Sequence, residues 1–267
     1  MYQYEPFGHD YITNFFDFNE ESGWRQTTAA SYVFQSSLKK LLVMDFDIHP
    51  AAATSIAGSL LHRMSDARLH YHTPVHVLSL FQQLQELQRI GVAEIRPHAD
   101  NPLFHLALWF HDSVYVPGEK KGLNEACSAR LMASLLRPFI STSDLNYVSD
   151  LINATADHDG FVDEQYQFLL DLDICNFAWP EESYNAASEM VMREFTQPYK
   201  TTLLEDRLLC EKHKGKLACY TREQFNAGRK HFLQQMLDKP FIYRTKPIRD
   251  LWEKRARENL TKSIQEL

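Results

Sequence analysis

Glycine is scarce in this chain, nine residues in 267, which argues against a fold of many tight hairpins, since their turns draw on glycine. No stretch approaches the roughly 18 uninterrupted apolar residues of a membrane helix, so no span is expected. The four cysteines (Cys127, Cys175, Cys210 and Cys219) include no C-x-x-C pair. Neither a zinc ribbon nor a disulfide framework fits, and reduced thiols are expected. There is no long Lys/Arg run, and the formal net charge is −7, which disfavours nucleic acid as the main partner. Lys212, Lys214 and Lys216 read as a solvated loop. Met1 to Trp24 is acidic and aromatic. It lacks a basic start followed by an apolar run, so no signal peptide is expected and the cytoplasm is the expected compartment.

What the chain does have is helical periodicity. With 44% apolar and 24% charged residues its composition is that of an ordinary globular protein. Apolar residues recur at three- and four-residue spacing over Ala29 to Leu42 and Pro50 to Met64. Thr73-Pro74 and Asn101-Pro102 each read as an N-cap followed by proline in the first turn. They open helices running to about Ile90 and, through Trp109, to about Ser113. Further helices are expected over Asn124 to Leu136, Asp144 to Ala156, Glu164 to Ala178, Glu181 to Phe195, Gln224 to Leu237 and Pro247 to Ile264. No segment shows two-residue alternation bounded by turns. The expected architecture is all-α: an irregular N-terminal extension over 1–26 and one helical domain over 27–267, with Glu205 to Cys219 the one plausible hinge.

Histidines and aspartates concentrate within this helical pattern. His70, His72 and His76 crowd the start of one helix. His111-Asp112 closes another, in the apolar run Leu106-Ala-Leu-Trp-Phe-His-Asp. Leu103, Ala107, Phe110 and His111 share one face, so the histidine points inward, with Asp112 about 100° further round. A buried carboxylate beside an imidazole needs compensation, and a divalent cation supplies it because both groups are good ligands. A second apolar segment, Phe168-Leu-Leu-Asp-Leu-Asp-Ile-Cys, carries Asp171 on a stripe with Phe168, Ile174 and Cys175, and Asp173 beside Leu169, Leu170 and Phe177. His76 falls in a first helical turn and His72 just before it. No glutamate completes an H-E-x-x-H pattern, so a zincin protease is not expected.

The order His76, His111-Asp112, Asp171 resembles the H…HD…D signature of the HD superfamily of metal-dependent phosphohydrolases. One branch of that superfamily has Y-H-N-x-x-H, W-F-H-D-x-V-Y, N-E-x-x-S-A, T-x-x-H, L-D-x-D-L and E-x-x-A-R-x-N-L. Here these read Tyr71-His72-Thr73-Pro74-Val75-His76, Trp109-Phe-His-Asp-Ser-Val-Tyr115, Asn124-Glu125-Ala-Cys-Ser128-Ala129, Thr155-Ala-Asp-His158, Leu170-Asp-Leu-Asp-Ile174 and Glu253-Lys-Arg-Ala-Arg-Glu-Asn-Leu260. The match covers roughly Arg68 to Leu260. Thr73 departs from the branch's asparagine, and Val116 stands where an aspartate often follows the tyrosine.

The resemblance implies an HD-type helical bundle and one divalent ion (Mn, Ni, Co, Zn, Fe or Mg) held by His76, His111, Asp112 and Asp171. Such an ion lowers the pKa of bound water and offsets charge on a phosphoryl group. Glu125, Asp173 and His158 are then the candidates for orienting ligands and moving protons, and His72, Tyr115, Asn124 and Arg193 for contacting substrate. Glu194 and Arg229 also stand where the branch shows polar residues. Glu253 and Arg257, four apart, are expected to pair on the surface. The partner implied is a small phosphorylated substrate, a nucleotide among the candidates, with no nucleic acid or membrane. Two rival readings stay open: a di-iron oxygenase enlarging the site with His72 and His158, and a ligand-binding or regulatory protein with a structural metal.

Overall fold

The computed structural model describes residues 16–19, 23–26, 28–66, 68–158, 160, 162–197 and 220–267. Beyond one short hairpin they form helices. Helix α1 (Thr28–Met44) buries Ala30, Phe34, Leu38, Leu41 and Leu42 at three- and four-residue steps and packs along α2 (Pro50–Met64). Helix α3 (Pro74–Arg89) is central, touching α1, the short α4 (Arg96–Ala99) and α5 (Pro102–Phe110). Helix α5 buries every residue from Leu106 to Phe110, as a helix that is apolar on all sides must. Helices α6 (Leu123–Leu136) and α7 (Thr142–Ala154) lie against each other, α7 also covering α5, and α8 (Glu164–Asp173) packs on α3 and α7.

A 3₁₀ turn, Cys175–Ala178, links α8 to α9 (Glu181–Thr196). Helix α10 (Arg222–Asp238) packs on α9, and α11 (Lys246–Glu266) packs on α10 and on the 3₁₀ turn. One hydrophobic cluster runs from Ala30 on α1 to Leu260 on α11. Among the described residues no helix is long and apolar enough to cross a membrane.

The capping signals act as the sequence suggests. Thr73 Oγ1 accepts from Val75 N at 3.3 Å and Asn101 Oδ1 from Leu103 N at 2.9 Å; each satisfies one orphan donor of a helix whose first residue is proline. Three details differ from expectation. Helix α5 ends at Phe110, so His111 and Asp112 lie just past it. The helix expected over Glu164 to Ala178 breaks at Ile174, whose backbone (φ −99°, ψ 20°) has left the helical region. Asn259 Nδ2 on α11 draws in the turn that follows, donating to the carbonyls of Phe177 and Trp179 at 2.8 and 2.9 Å. Finally, the extension expected to be irregular contains an antiparallel hairpin, β1 (Phe16–Asn19) with β2 (Gly23–Gln26), pairing Phe16 with Gln26 and Asn19 with Gly23. Four-residue strands are too short for alternation to show. The expected hinge at Glu205 to Cys219, with Lys212, Lys214, Lys216, Cys210 and Cys219, lies outside the described residues. Cys175 is a buried thiol outside any disulfide among the described residues.

Candidate metal centre

Three helix ends bring four donor side chains together. His76 is the third residue of α3, where the Thr73-Pro74 start fixes the first turn. His111 and Asp112 follow the last turn of α5, and Asp173 is the last residue of α8. One ligand atom from each lies within 4.8 Å of all the others. His76 Nε2 is 3.2 Å from His111 Nε2, 3.5 Å from Asp112 Oδ2 and 3.3 Å from Asp173 Oδ1. His111 Nε2 is 3.0 Å from Asp112 Oδ2 and 3.3 Å from Asp173 Oδ1. Donors about 2.1 Å from a common ion stand about 3.0 to 3.4 Å apart when adjacent, so these separations suit one cation.

The hydrogen positions point the same way. His111 Nδ1 lies 3.0 Å from the carbonyl oxygen of Leu108. A carbonyl only accepts, so Nδ1 carries the hydrogen and Nε2 of the neutral ring presents a lone pair to the cluster. His76 Nδ1 is buried with no hydrogen-bond partner. Two imidazole nitrogens and two carboxylates facing one another need a positive species between them. With protons as the only such species, burial would lower the His111 pKa, but Asp112 and Asp173 raise it well above its ordinary value. The same histidines hold Asp112 and Asp173 far below the usual carboxylate range against the opposing effect of burial. The donor set fits a divalent ion.

Asp171 requires a correction. From the sequence it is expected to be the fourth ligand and Asp173 to orient ligands or move protons; the structure puts Asp173 in the cluster and Asp171 outside it. Two residues apart on a helix means about 200° around it, so the carboxylates leave α8 on opposite sides. Asp171 Oδ1 accepts from Arg244 N at 2.6 Å, and Oδ2 accepts from Thr245 N at 2.8 Å and Thr245 Oγ1 at 2.6 Å. It fastens the start of α11. Burial pushes its carboxyl up to about 6 in spite of these donors.

The remaining candidates divide in two. His72, Tyr115, Glu125, His158 and Asp173 line one cavity of about 480 Å³ together with Asp112. His158 Nε2 meets Asp173 Oδ2 at 3.0 Å, so Asp173 turns one oxygen to the cluster and the other to His158. Burial raises the Glu125 pKa, helped by Asp112 and Asp173, and its Oε2 has no partner. The His72 ring stacks on Tyr115 with centroids 3.5 Å apart.

Asn124 and Arg193, both expected to contact substrate, do not line this cavity. The Asn124 side chain pairs with both backbone groups of Val116 at 3.1 and 3.2 Å, and Ser128 Oγ accepts from Val114 N at 3.0 Å. Both residues pin the loop that carries Tyr115. Arg193 Nε donates to Glu189 one helical turn away at 3.1 Å. Glu253 and Arg257 pair at 2.8 Å, though not as a plain surface pair. Glu253 also accepts from the backbone of Ile242 and Tyr243, and Arg257 donates to the carbonyls of Leu237, Lys239 and Pro240.

Glu194, passed over in favour of its neighbour Arg193, proves the better-placed residue. Its Oε1 accepts the backbone N–H groups of His70, Tyr71 and His72 at 2.8, 2.7 and 2.9 Å, and its Oε2 lies 2.6 Å from His72 Nδ1. Burial would raise its pKa, but His72 and these donors hold it below the ordinary value. The signal was present in the sequence: Glu194 continues the buried stripe of Tyr184, Ala187 and Met190 on α9.

Neither the protein-family models nor the curated proteins searched give a match to this chain.

Proposed function

We propose that this chain is a cytoplasmic, HD-type phosphohydrolase that uses one divalent cation to hydrolyse a small phosphoester. The observation that carries the reading is the quartet His76, His111, Asp112 and Asp173 opening onto a cavity large enough for such a substrate. When bound, the cation supplies Lewis acidity toward water and a phosphoryl oxygen.

The chain's own residues supply the rest. Glu125 faces the cavity with a raised pKa and an oxygen that has no partner among the described residues, which suits it to hold a proton and pass it on. His72 has its Nδ1–H fixed on Glu194 and its ring on Tyr115, which orients the opposite ring edge. Glu194 and Asp112 raise the His72 pKa against burial, suiting the ring to a phosphoryl oxygen. His158, held on Asp173, stands ready as a second proton carrier.

The test is a panel of phosphomonoesters and nucleotides assayed with added Mn, Co, Ni, Zn, Fe or Mg. Metal-dependent turnover is expected in the wild type and should vanish in Asp112→Ala while far-UV circular dichroism is unchanged. A panel with no metal-dependent turnover defeats the reading in favour of a binding protein. One observation favours a second reading, di-iron oxygenation: Asp173 offers its second oxygen toward His158, as a carboxylate shared by two metals does. Two irons per chain with a visible charge-transfer band would support it.

A further inference from the structure

The cavity has walls of two kinds. Some are imidazole, carboxylate and phenol. The others are mostly apolar: Phe177 on the 3₁₀ turn, Val191 and Phe195 on α9, and Phe225 and Phe232 on α10, with Asn176 and Tyr220 among them. Two of the polar side chains there are taken up within their own turns. Thr155 Oγ1 donates to the Ile152 carbonyl at 2.8 Å, and Gln224 Oε1 accepts from Thr221 N at 2.9 Å. A hydroxylated ligand would leave groups unpaired on such a wall, and that is disfavoured.

Gly228 and Arg229 mark the same wall. Gly228 lies in the middle of α10, where glycine costs stability relative to alanine. Its backbone has no positive φ that would require glycine, and a Cβ built on it meets no atom of the described residues beyond its own helix within 4 Å. It lines the cavity, so what its missing side chain provides is open room. Arg229 lines the cavity too, with its guanidinium carbon 5.8 and 5.6 Å from the ring centroids of Phe177 and Phe232. Among the described residues it has no ion-pair partner. An arginine laid on aromatic faces keeps its charge and its fork of donors available to an anion.

We infer that the cavity selects phosphoesters of apolar, ring-bearing alcohols over those of sugars or nucleosides. The ring lies in the space left by Gly228 against Phe225 and Phe232, and Arg229 meets an anionic oxygen of the phosphate. This rests on the phosphohydrolase reading for the reaction but not for the binding.

The experiment is calorimetric titration of the manganese-loaded full chain with phenylphosphonate, methylphosphonate, ribose 5-phosphate and adenosine 5′-phosphate. Phenylphosphonate should bind on the order of tenfold more tightly than the other three, the size of one aromatic contact. Gly228→Leu should fill the space and abolish that advantage, and Arg229→Gln should weaken both phosphonates by a similar factor. Gly228→Ala controls for folding and should raise Tm by about 3 °C. The inference is overturned if adenosine 5′-phosphate or ribose 5-phosphate binds more tightly than phenylphosphonate, or if Gly228→Leu leaves the preference intact. The two readings fail separately. Phenylphosphonate bound as expected without turnover of any phosphoester removes the reaction and keeps the binding class. Turnover of glycerol phosphate as fast as phenyl phosphate does the reverse.

Discussion

Helix α5 with the residue just past it, and helix α8, each hold one residue type in two settings. On α5, His105 sits against Phe81 with ring centroids 5.6 Å apart, and burial pushes its pKa down to about 4. His111, six residues on, is buried more deeply still, yet Asp112 and Asp173 raise its pKa well above the ordinary value. On α8, Asp171 is met by N–H and hydroxyl donors, and burial raises its pKa to about 6. Asp173 is met by three imidazoles and is held far below its usual range. Depth of burial alone does not set the direction of either shift. The charge of whatever faces each side chain decides, and at the ends of α3, α5 and α8 those faces converge.

Four substitutions probe this contrast, taken in order of expected size. Asp173→Ala should weaken manganese binding more than about 100-fold, beyond the usual loss on removing a group that merely orients a ligand, with the helical circular dichroism retained. Asp171→Ala should behave oppositely: manganese affinity of the folded protein within a few-fold of wild type, but stability to urea lower by about 3 kcal/mol, because two partly buried N–H groups and the Thr245 hydroxyl lose their acceptor. Equal damage to metal binding from both substitutions would break the comparison.

His105 sharpens it through pH. Its folded pKa lies below that of an unfolded histidine, so the unfolded chain takes up the proton first. The stability linked to it is complete above about 6.5 and is lost as pH falls from there toward the folded value. Between about pH 7 and about pH 5 the loss is about 2 kcal/mol. Urea titrations at the two pH values should show this acid loss shrinking by that amount in His105→Gln. Smallest is Thr245→Val, which removes one of the three donors to Asp171 and should cost about 1 kcal/mol without changing the manganese isotherm.

The helical layout was legible because proline-preceded caps and three- to four-residue stripes are local signals. Ranges such as Pro50–Met64 needed no tertiary information. The histidine members of the centre were legible too: His111 from its apolar helix, His76 from the Thr73-Pro74 start. The choice between Asp171 and Asp173 was not. Both lie in the same apolar segment, and what distinguishes them is the arrival of Arg244 and Thr245, more than seventy residues further on. The break at Ile174 was hidden for the same reason, since Asn259 holds the turn from α11. Asn124 read as a ligand contact because side-chain to backbone pairing within a loop leaves no periodic trace. Glu194 stood on a visible apolar stripe, but the three backbone donors it gathers come from another part of the chain.

Helix α11 contributes no side chain to the quartet, yet it grips α8 through Thr245, the turn beyond α8 through Asn259, and the loop before itself through Glu253 and Arg257. A nascent chain emerging from the ribosome therefore has His76, His111, Asp112 and Asp173 in hand before the brace on α8 has been made. Until α11 docks, such a chain lacks the clamp on Asp171 and on the turn beyond α8, so completion of the bundle waits on α11.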